Sequence, residues 1–307
     1  MTTLSAFLPI DRRVALAEGR ELPDRAEGAA LFADISGFTP LTATMRRELG
    51  ARRGAEELIR HLDAVFAELI ARIHRYHGNV IGFSGDAVTC WFDDATPEEG
   101  ATAAGQAAAA AFAMQEYMTR LEAITTPGGT RIPMAVKIAV AAGPARRFLV
   151  GDPRIHVIEV IAGRTVDRTS TAEKLAERGE VILSAEVLPL LNRPPAVVAW
   201  RAAGDERYAV VAATAAADVA PPAPRIPPAV DDEVARPWLL PPIYEDLRQG
   251  AAEFLAELRP ALPLFVRFSG IDYDADDDAG SKLDTFVRRA QVILDHYEGF
   301  LGRITIG

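Results

Sequence analysis

The chain has 307 residues, 49% of them hydrophobic, with 33 Lys and Arg against 43 Asp and Glu for a formal net charge of −10. That length supplies apolar material for one large domain or two ordinary ones. The acidic balance argues against nucleic acid or an anionic membrane as partner, and any bound polyphosphate would need local cations or metal ions. The single cysteine, Cys90, cannot close an intrachain disulfide and fits a reducing compartment. The N-terminal MTTLSAFLPIDRR lacks the order of a signal peptide. No window reaches the roughly 18 apolar residues of a membrane span. A cytoplasmic protein is expected.

After an N-terminal segment (1–27), residues 28–36 read as a strand, and the apolar spacing of Leu58, Leu62, Val65, Phe66, Leu69, Ile70 and Ile73 predicts an amphipathic helix over 53–76. Gly78 stops it. NVIGFSGDAVTCWF then predicts two short strands joined by a tight turn at Ser84-Gly85-Asp86. An alanine-rich helix follows from Pro97 to about Leu121. Strands are expected at 133–143, 154–162 and 180–184, with a helix over 164–179, and a hairpin over 196–204 and 206–213 closes this first unit. The Ala/Pro-rich stretch 214–243, containing VAPPAPRIPPAV, reads as a semi-extended linker. Beyond it the pattern gives a helix at 244–260, a strand at 262–272, a helix at 281–299 and a strand at 300–307.

These last elements echo the first. LFADISGF (31–38) parallels LFVRFSGI (264–271), and RYHGNVIGFSG (75–85) parallels HYEGFLGRITIG (296–307). Asp34 of the first copy is replaced by Arg267, and the second copy stops before a counterpart of Asp86.

Asp34 ends the first strand and Asp86 sits on the hairpin turn, so an antiparallel sheet would bring both to one edge. Two carboxylates without a cation would repel, and one would take up a proton. Magnesium resolves the conflict, because it takes one or two carboxylates plus substrate phosphates. Gly37 and Gly85 would let backbone approach a phosphate chain, and the N–H groups of Ser36 to Thr39 could cradle terminal phosphates. Against this stands a plainer reading, a turn with a helix cap at Asp34 and an ordinary hairpin at Asp86.

LFADISGFT and GNVIGFSGDAVTCWF, followed in order by VKIAVAAG, FLVGDPRIHVIEVIAG and EVILS, resemble the catalytic domain of the class III nucleotidyl cyclases. The similarity is greatest to the soluble, bicarbonate-responsive adenylyl cyclase type with tandem domains. It covers residues 28–213 as a first cyclase domain, while 244–307 look like a helix and the opening of a second, incomplete cyclase-like unit. The resemblance implies an α+β, ferredoxin-like (palm-type) βαββαβ core with catalysis between two cyclase domains. By position it implies Asp34 and Asp86 as metal aspartates and the Ile35 carbonyl as a further ligand. Ser36, Gly37, Phe38 and Thr39 fall in the phosphate loop, with Gly85 beside it, and Lys137 reaches the phosphates; on sequence alone Lys137 also reads as an exposed strand lysine. Two Mg2+ or Mn2+ ions are implied, with ATP ahead of GTP as substrate and a second cyclase domain, in cis or in a homodimer, as partner. The implied product is cyclic AMP for intracellular signalling. The alternative is a non-catalytic cyclase-like module that dimerises or binds nucleotide without turnover. Diguanylate cyclases and polymerases share the palm-like fold, but GFSGDAV stands where a diguanylate cyclase carries a Gly-Gly-Asp/Glu-Glu-Phe hairpin.

The pattern also departs from that family. Gly82 and Ser170 stand where the soluble type carries the lysine and arginine of its bicarbonate pocket, so bicarbonate activation is not expected. The segment RTVDRTSTAEKL has no Asn followed four residues later by Arg, the pair a complementary domain would supply; Arg164, Arg168 and Lys174 are the substitutes on offer. Three remaining features read as structural. His61, His74 and His77 form a solvated face without metal-ligand spacing, Cys90 is a small buried residue, and the acidic DYDADDDAG (272–280) is a solvated loop lacking the terminal Glu of an EF-hand.

Overall fold

The computed structural model describes residues 4–94, 102–212, 221–248 and 262–306. Along them run α1 (Ile10–Ala17), β1 (Arg25–Ser36), α2 (Phe38–Leu49), α3 (Ala51–Arg75), β2 (Asn79–Ser84), β3 (Ala87–Asp93) and α4 (Ala103–Leu121). There follow β4 (Ala123–Thr125), β5 (Arg131–Pro133), β6 (Ala135–Val150), β7 (Ile158–Ala162), α5 (Arg164–Leu175), β8 (Val181–Ser184), β9 (Val197–Ala203) and β10 (Glu206–Val211), then α6 (Asp232–Ala235), α7 (Pro241–Arg248) and α8 (Ala279–His296). The chain divides into two compact units. One, the sheet unit, comprises Ala26–Ala145 and Arg164–Ile226; the other, the terminal unit, comprises Met1–Arg25, Arg146–Gly163 and Pro227–Gly307.

In the sheet unit the strands lie in the order β2-β3-β1-β6-β8-β10-β9. Strand β1, the helices α2 and α3, the hairpin β2–β3, helix α4 and strand β6 follow one another as βαββαβ, and the spatial order β2-β3-β1-β6 is that of a ferredoxin-like core. Helix α5 carries the chain over to β8, which pairs with β6 in parallel. The hairpin β9–β10 extends the sheet.

Alternation along β1 sends Ala29, Leu31, Ala33 and Ile35 into the main core, against Val65, Leu69 and Ile73 of α3, the stripe its periodicity predicts. Helix α4 is buried on nearly every side, which its run of alanines permits because small side chains let backbones approach. Between α2 and α3 the chain turns at Gly50, and a Cβ at Gly54 would stand 2.7 Å from the Met45 carbonyl oxygen, so only glycine fits where the two helices cross. The opposite sheet face gathers Ala139, Ile182, Tyr208 and Val210 against Ala172 of α5 and Ala176 just beyond its end. Cys90 is fully buried as expected, and burial pushes its thiol pKa up. His77 departs from the expectation of a solvated face: it is buried, with Nε2 2.9 Å from the Ala223 carbonyl oxygen.

The terminal unit contains a buried ion-pair group. Arg147 pairs with Glu159 and, at 2.5 Å, with Asp11, and Arg12 lies 3.3 Å from Glu159. Two guanidinium groups thus answer two carboxylates, the condition under which buried charge is tolerated. Next to residues 148–150 of β6 and strand β7, helix α8 presents Ala279, Leu283 and Val287, one turn apart, to Phe148, Val150, Val160 and Ala162. One turn further the same stripe ends in Gln291, a buried amide that accepts the Asp152 N–H (2.8 Å) and donates to the His156 carbonyl (2.6 Å).

Some of these expectations need correction and others gain detail. The N-terminal segment contains a helix, α1, whose Asp11 and Arg12 belong to the ion-pair group. The strands expected at 262–272 and 300–307 are not formed among the described residues. A strand needs a ladder partner, and Leu264, Phe265 and Val266 stand exposed with none among the described residues. Helix α8 is formed, and Phe268, Ile271, Leu301 and Ile304 pack against the core built with it. Of the helix expected at 244–260, α7 supplies the start, and 249–261 lie outside the described residues, as do Pro97 and residues 213–220. The linker stretch ends in α6, which buries Ala235. The acidic loop turns its carboxylates on its own chain: Asp272 Oδ1 accepts the N–H groups of Asp274 and Ala275, and Asp276 pairs with Lys282 at 2.6 Å.

Replacing Gln291 by Leu leaves a buried N–H and a buried C=O without partners, at about 1–3 kcal/mol each. Chemical denaturation of Gln291→Leu is expected to show the terminal unit destabilised by at least about 2 kcal/mol. An unchanged midpoint would show that the amide carries no weight there.

Candidate active site

The register of β1 against β3 sets Asp34 opposite Ala87, and the Ile35 N–H donates to the Asp86 carbonyl oxygen at 3.1 Å. The tight turn between Ser84 and Ala87 therefore delivers Asp86 to the end of β1, where Asp34 stands. Gly85 adopts φ of 60° in that turn, and a Cβ there would meet nothing within 4 Å, so glycine is required by backbone conformation and not by crowding.

Strand alternation fixes the faces. Asp34 lies between Ala33 and Ile35, both in the main core, so its side chain is on the opposite face. Lys137 lies likewise between the core residues Val136 and Ile138, sharing its face with Ala139 and helix α5. There Lys137 Nζ stands 3.2 Å from Asp34 Oδ2 and 2.5 Å from Glu173 Oε1, with the three side chains 22–26% exposed. The exposed-strand-lysine alternative is thereby set aside. Burial raises the Asp34 pKa, Lys137 pulls it back, and the charges of Asp86 and Glu173 add to the rise, leaving it above the ordinary value. For Lys137 burial works toward a lower pKa, but hydrogen bonds and charge from Glu173 and Asp34 outweigh it and the net shift is upward.

The chain leaves β1 at Ser36 and enters α2 through Gly37, which caps that helix with φ of 113°. A Cβ at Gly37 would lie 2.6 Å from the Pro133 carbonyl oxygen, so the turn is both left-handed and packed. Phe38 is buried and stacks on Phe66 at 6.5 Å between centroids, which leaves its backbone N–H, not its ring, for a ligand. Phe38 and Thr39 occupy the first turn of α2, which has no acidic residue, so its N–H groups and helix dipole favour an anion.

Among the described residues no group of three or more His, Cys, Asp or Glu side chains could by itself hold a metal ion. Asp34 and Asp86 offer carboxylate oxygens, the donor type that Mg2+ or Mn2+ takes when substrate phosphates supply the rest.

Glu173 escaped the sequence reading. It lies on a helix far along the chain from Asp34 and in no motif; the only signal was its place beside Ala172 on the α5 face that packs on Ala139. Arg168, offered as a substitute transition-state cation, is taken up by Glu206 at 2.8 Å and Glu186 at 3.1 Å. Arg164 leans on the same Glu206 at 3.6 Å. A Cβ at Gly82 meets nothing within 4 Å.

The family profile described as the adenylate and guanylate cyclase catalytic domain matches residues 24–207. Adenylate cyclase type 10 of Homo sapiens is 26% identical over 179 residues, covering 57% of this chain and 10% of that protein. The protein of the same name from Rattus norvegicus is 28% identical over 167 residues, again 10% of its length. The chain thus matches about a tenth of these relatives. Among solved structures, the adenylyl cyclase CyaB from P. aeruginosa aligns over 61% of this chain and 95% of its own with 25% identity and a TM-score of 0.52. A bacterial light-regulated adenylyl cyclase aligns over 69% of this chain and 61% of its own with 15% identity and a TM-score of 0.53. No helix among the described residues is long and apolar enough to cross a membrane.

Replacing Lys137 by Met removes the interactions that pull Asp34 down. The Asp34 carboxyl, followed by carbon NMR, should then titrate at a higher pH than in the parent chain; an unmoved midpoint would mean the ammonium does not neutralise it.

Proposed function

Because this chain belongs to the adenylate and guanylate cyclase catalytic domain family, we propose that it carries the metal-binding half of an adenylyl cyclase site and converts ATP to cyclic AMP and pyrophosphate. The observation that carries the proposal is the delivery of Asp34 and Asp86 to one end of β1 and β3, beside the cap of α2. Residues 28–213 are the proposed catalytic domain, with 244–307 a partial second one. ATP is preferred to GTP because the curated relatives are adenylate cyclases.

In the reaction the ribose 3′-oxygen attacks the α-phosphorus, the bond from that phosphorus to the bridging oxygen of the β-phosphate breaks, and the hydroxyl proton goes to solvent. Asp34, Asp86 and the Ile35 carbonyl would hold two Mg2+ or Mn2+ ions. When bound, these would lower the pKa of the hydroxyl and neutralise the phosphates. The chain's own part is positioning and charge. The N–H groups from Ser36 to Thr39 receive the terminal phosphates, Gly37 and Gly85 keep backbone close to them, and Lys137 offers its ammonium from the same face as Asp34.

The commitment of Arg168 to Glu186 and Glu206 supports a second element of the proposal, that a complementary cyclase domain other than a copy of the first one supplies the transition-state cation. The same observation favours the second reading, a cyclase-like module that binds nucleotide without turnover.

With Mn-ATP, the purified chain is expected to form cyclic AMP, and Asp34→Asn to reduce kcat by at least about 100-fold, in the range for loss of one electrostatic stabiliser. Equal turnover by both proteins would contradict the proposed site. Nucleotide binding with no product from either would favour the binding module.

A further inference from the structure

We infer that Glu173 is a positioning residue that holds the Lys137 ammonium when a divalent cation takes up Asp34, an inference that rests on the proposed metal role of Asp34. The ammonium is shared, 3.2 Å from Asp34 Oδ2 and 2.5 Å from Glu173 Oε1. A lysine has three donors and can serve both carboxylates at once. A metal ion at Asp34 cannot share that oxygen with an ammonium so close, because like charges at this separation repel strongly where water is partly excluded. The Lys137 side chain is only 22% exposed, so leaving Asp34 for nothing would strand a partly desolvated charge. Glu173 removes that cost, being already the nearer partner.

Its placement suits the task. Glu173 comes from α5, whereas the aspartates sit on β1 and the β2–β3 turn, so it can hold the lysine without belonging to the strand ends that would carry the metal. Its backbone is fixed by Ala172 and Ala176, which pack on Ala139, Ile182 and Tyr208. The carboxylate is thereby anchored from a separate element, and Lys137 can exchange Asp34 for an incoming phosphate while keeping one partner throughout. Without Glu173, the remaining carboxylate for Lys137 is Asp34 itself, and the lysine becomes a competitor of the metal.

The test is Mn2+ binding to the full chain holding 2′,3′-dideoxy-ATP, followed by water proton relaxation; the analogue lacks the attacking hydroxyl, so binding is read without turnover. Glu173→Gln is expected to weaken Mn2+ binding roughly tenfold. In a Lys137→Met background the same substitution should change it by less than about twofold, because the effect passes through the lysine. Unchanged affinity in Glu173→Gln, or an equal loss with and without Lys137, would overturn the inference, the second result marking Glu173 as a direct attractor of the metal. Glu173→Asp, which keeps the charge and withdraws it by one methylene, should weaken binding in the same lysine-dependent way and serves if Glu173→Gln does not fold. Asp34→Asn separates the two layers. If it leaves Mn2+ binding intact, Asp34 is not a metal ligand; if it abolishes binding while Glu173→Gln does nothing, only the role of Glu173 falls.

Discussion

The backbone register of β1 against β3 sets Asp34 and Asp86 at one end of a rigid sheet, and the rest of the site is built on that placement. The β1–β3 register and the hydrogen bond from the Ile35 N–H to the Asp86 carbonyl fix both backbones there, and the Asp86 charge adds to the rise that burial gives the Asp34 pKa. Lys137 supplies one positive charge, yet the Asp34 pKa still lies above its ordinary value. At effective interior dielectric, a unit ion pair at such distance is worth on the order of 4 kcal/mol before desolvation, and a divalent ion about twice that. Beside these aspartates lies a helix N-terminus without an acidic first turn, and together they are where we propose that a cation and a polyphosphate bind.

Much of the fold is legible in the sequence because its signals are local. The stripe Val65, Leu69 and Ile73 gives α3, the alternation Ala29 to Ile35 gives β1, and Gly85-Asp86 between two apolar runs gives the hairpin. The aspartates are legible for the same reason, since strand ends and hairpin tips are set by short-range pattern. What was not legible depends on distant partners. Residues 262–271 alternate like a strand but have no neighbour to pair with, whereas Asp11 and Arg12 gave no motif because their partners, Arg147 and Glu159, lie far along the chain. Glu173 belongs to this second class: its importance comes from a lysine on another element, brought within 2.5 Å only by the packing of α5 on β6.

The departures from the soluble cyclase type are also physical and local. Gly82 and Ser170 carry no charge, and a Cβ at Gly82 would meet nothing within 4 Å. Arg168 does carry charge but spends it on Glu186 and Glu206, which fastens α5 to the β8–β10 region instead of leaving a cation for the reaction. The proposed activity therefore leans on a complementary domain more than on any cation of α5.

The most direct measurement is anomalous diffraction at the manganese edge from crystals grown with Mn2+ and 2′,3′-dideoxy-ATP. Manganese bound between the Asp34 and Asp86 carboxylates, with phosphates at the N-terminus of α2, is the predicted result. Bound nucleotide with manganese absent from those two aspartates would contradict it.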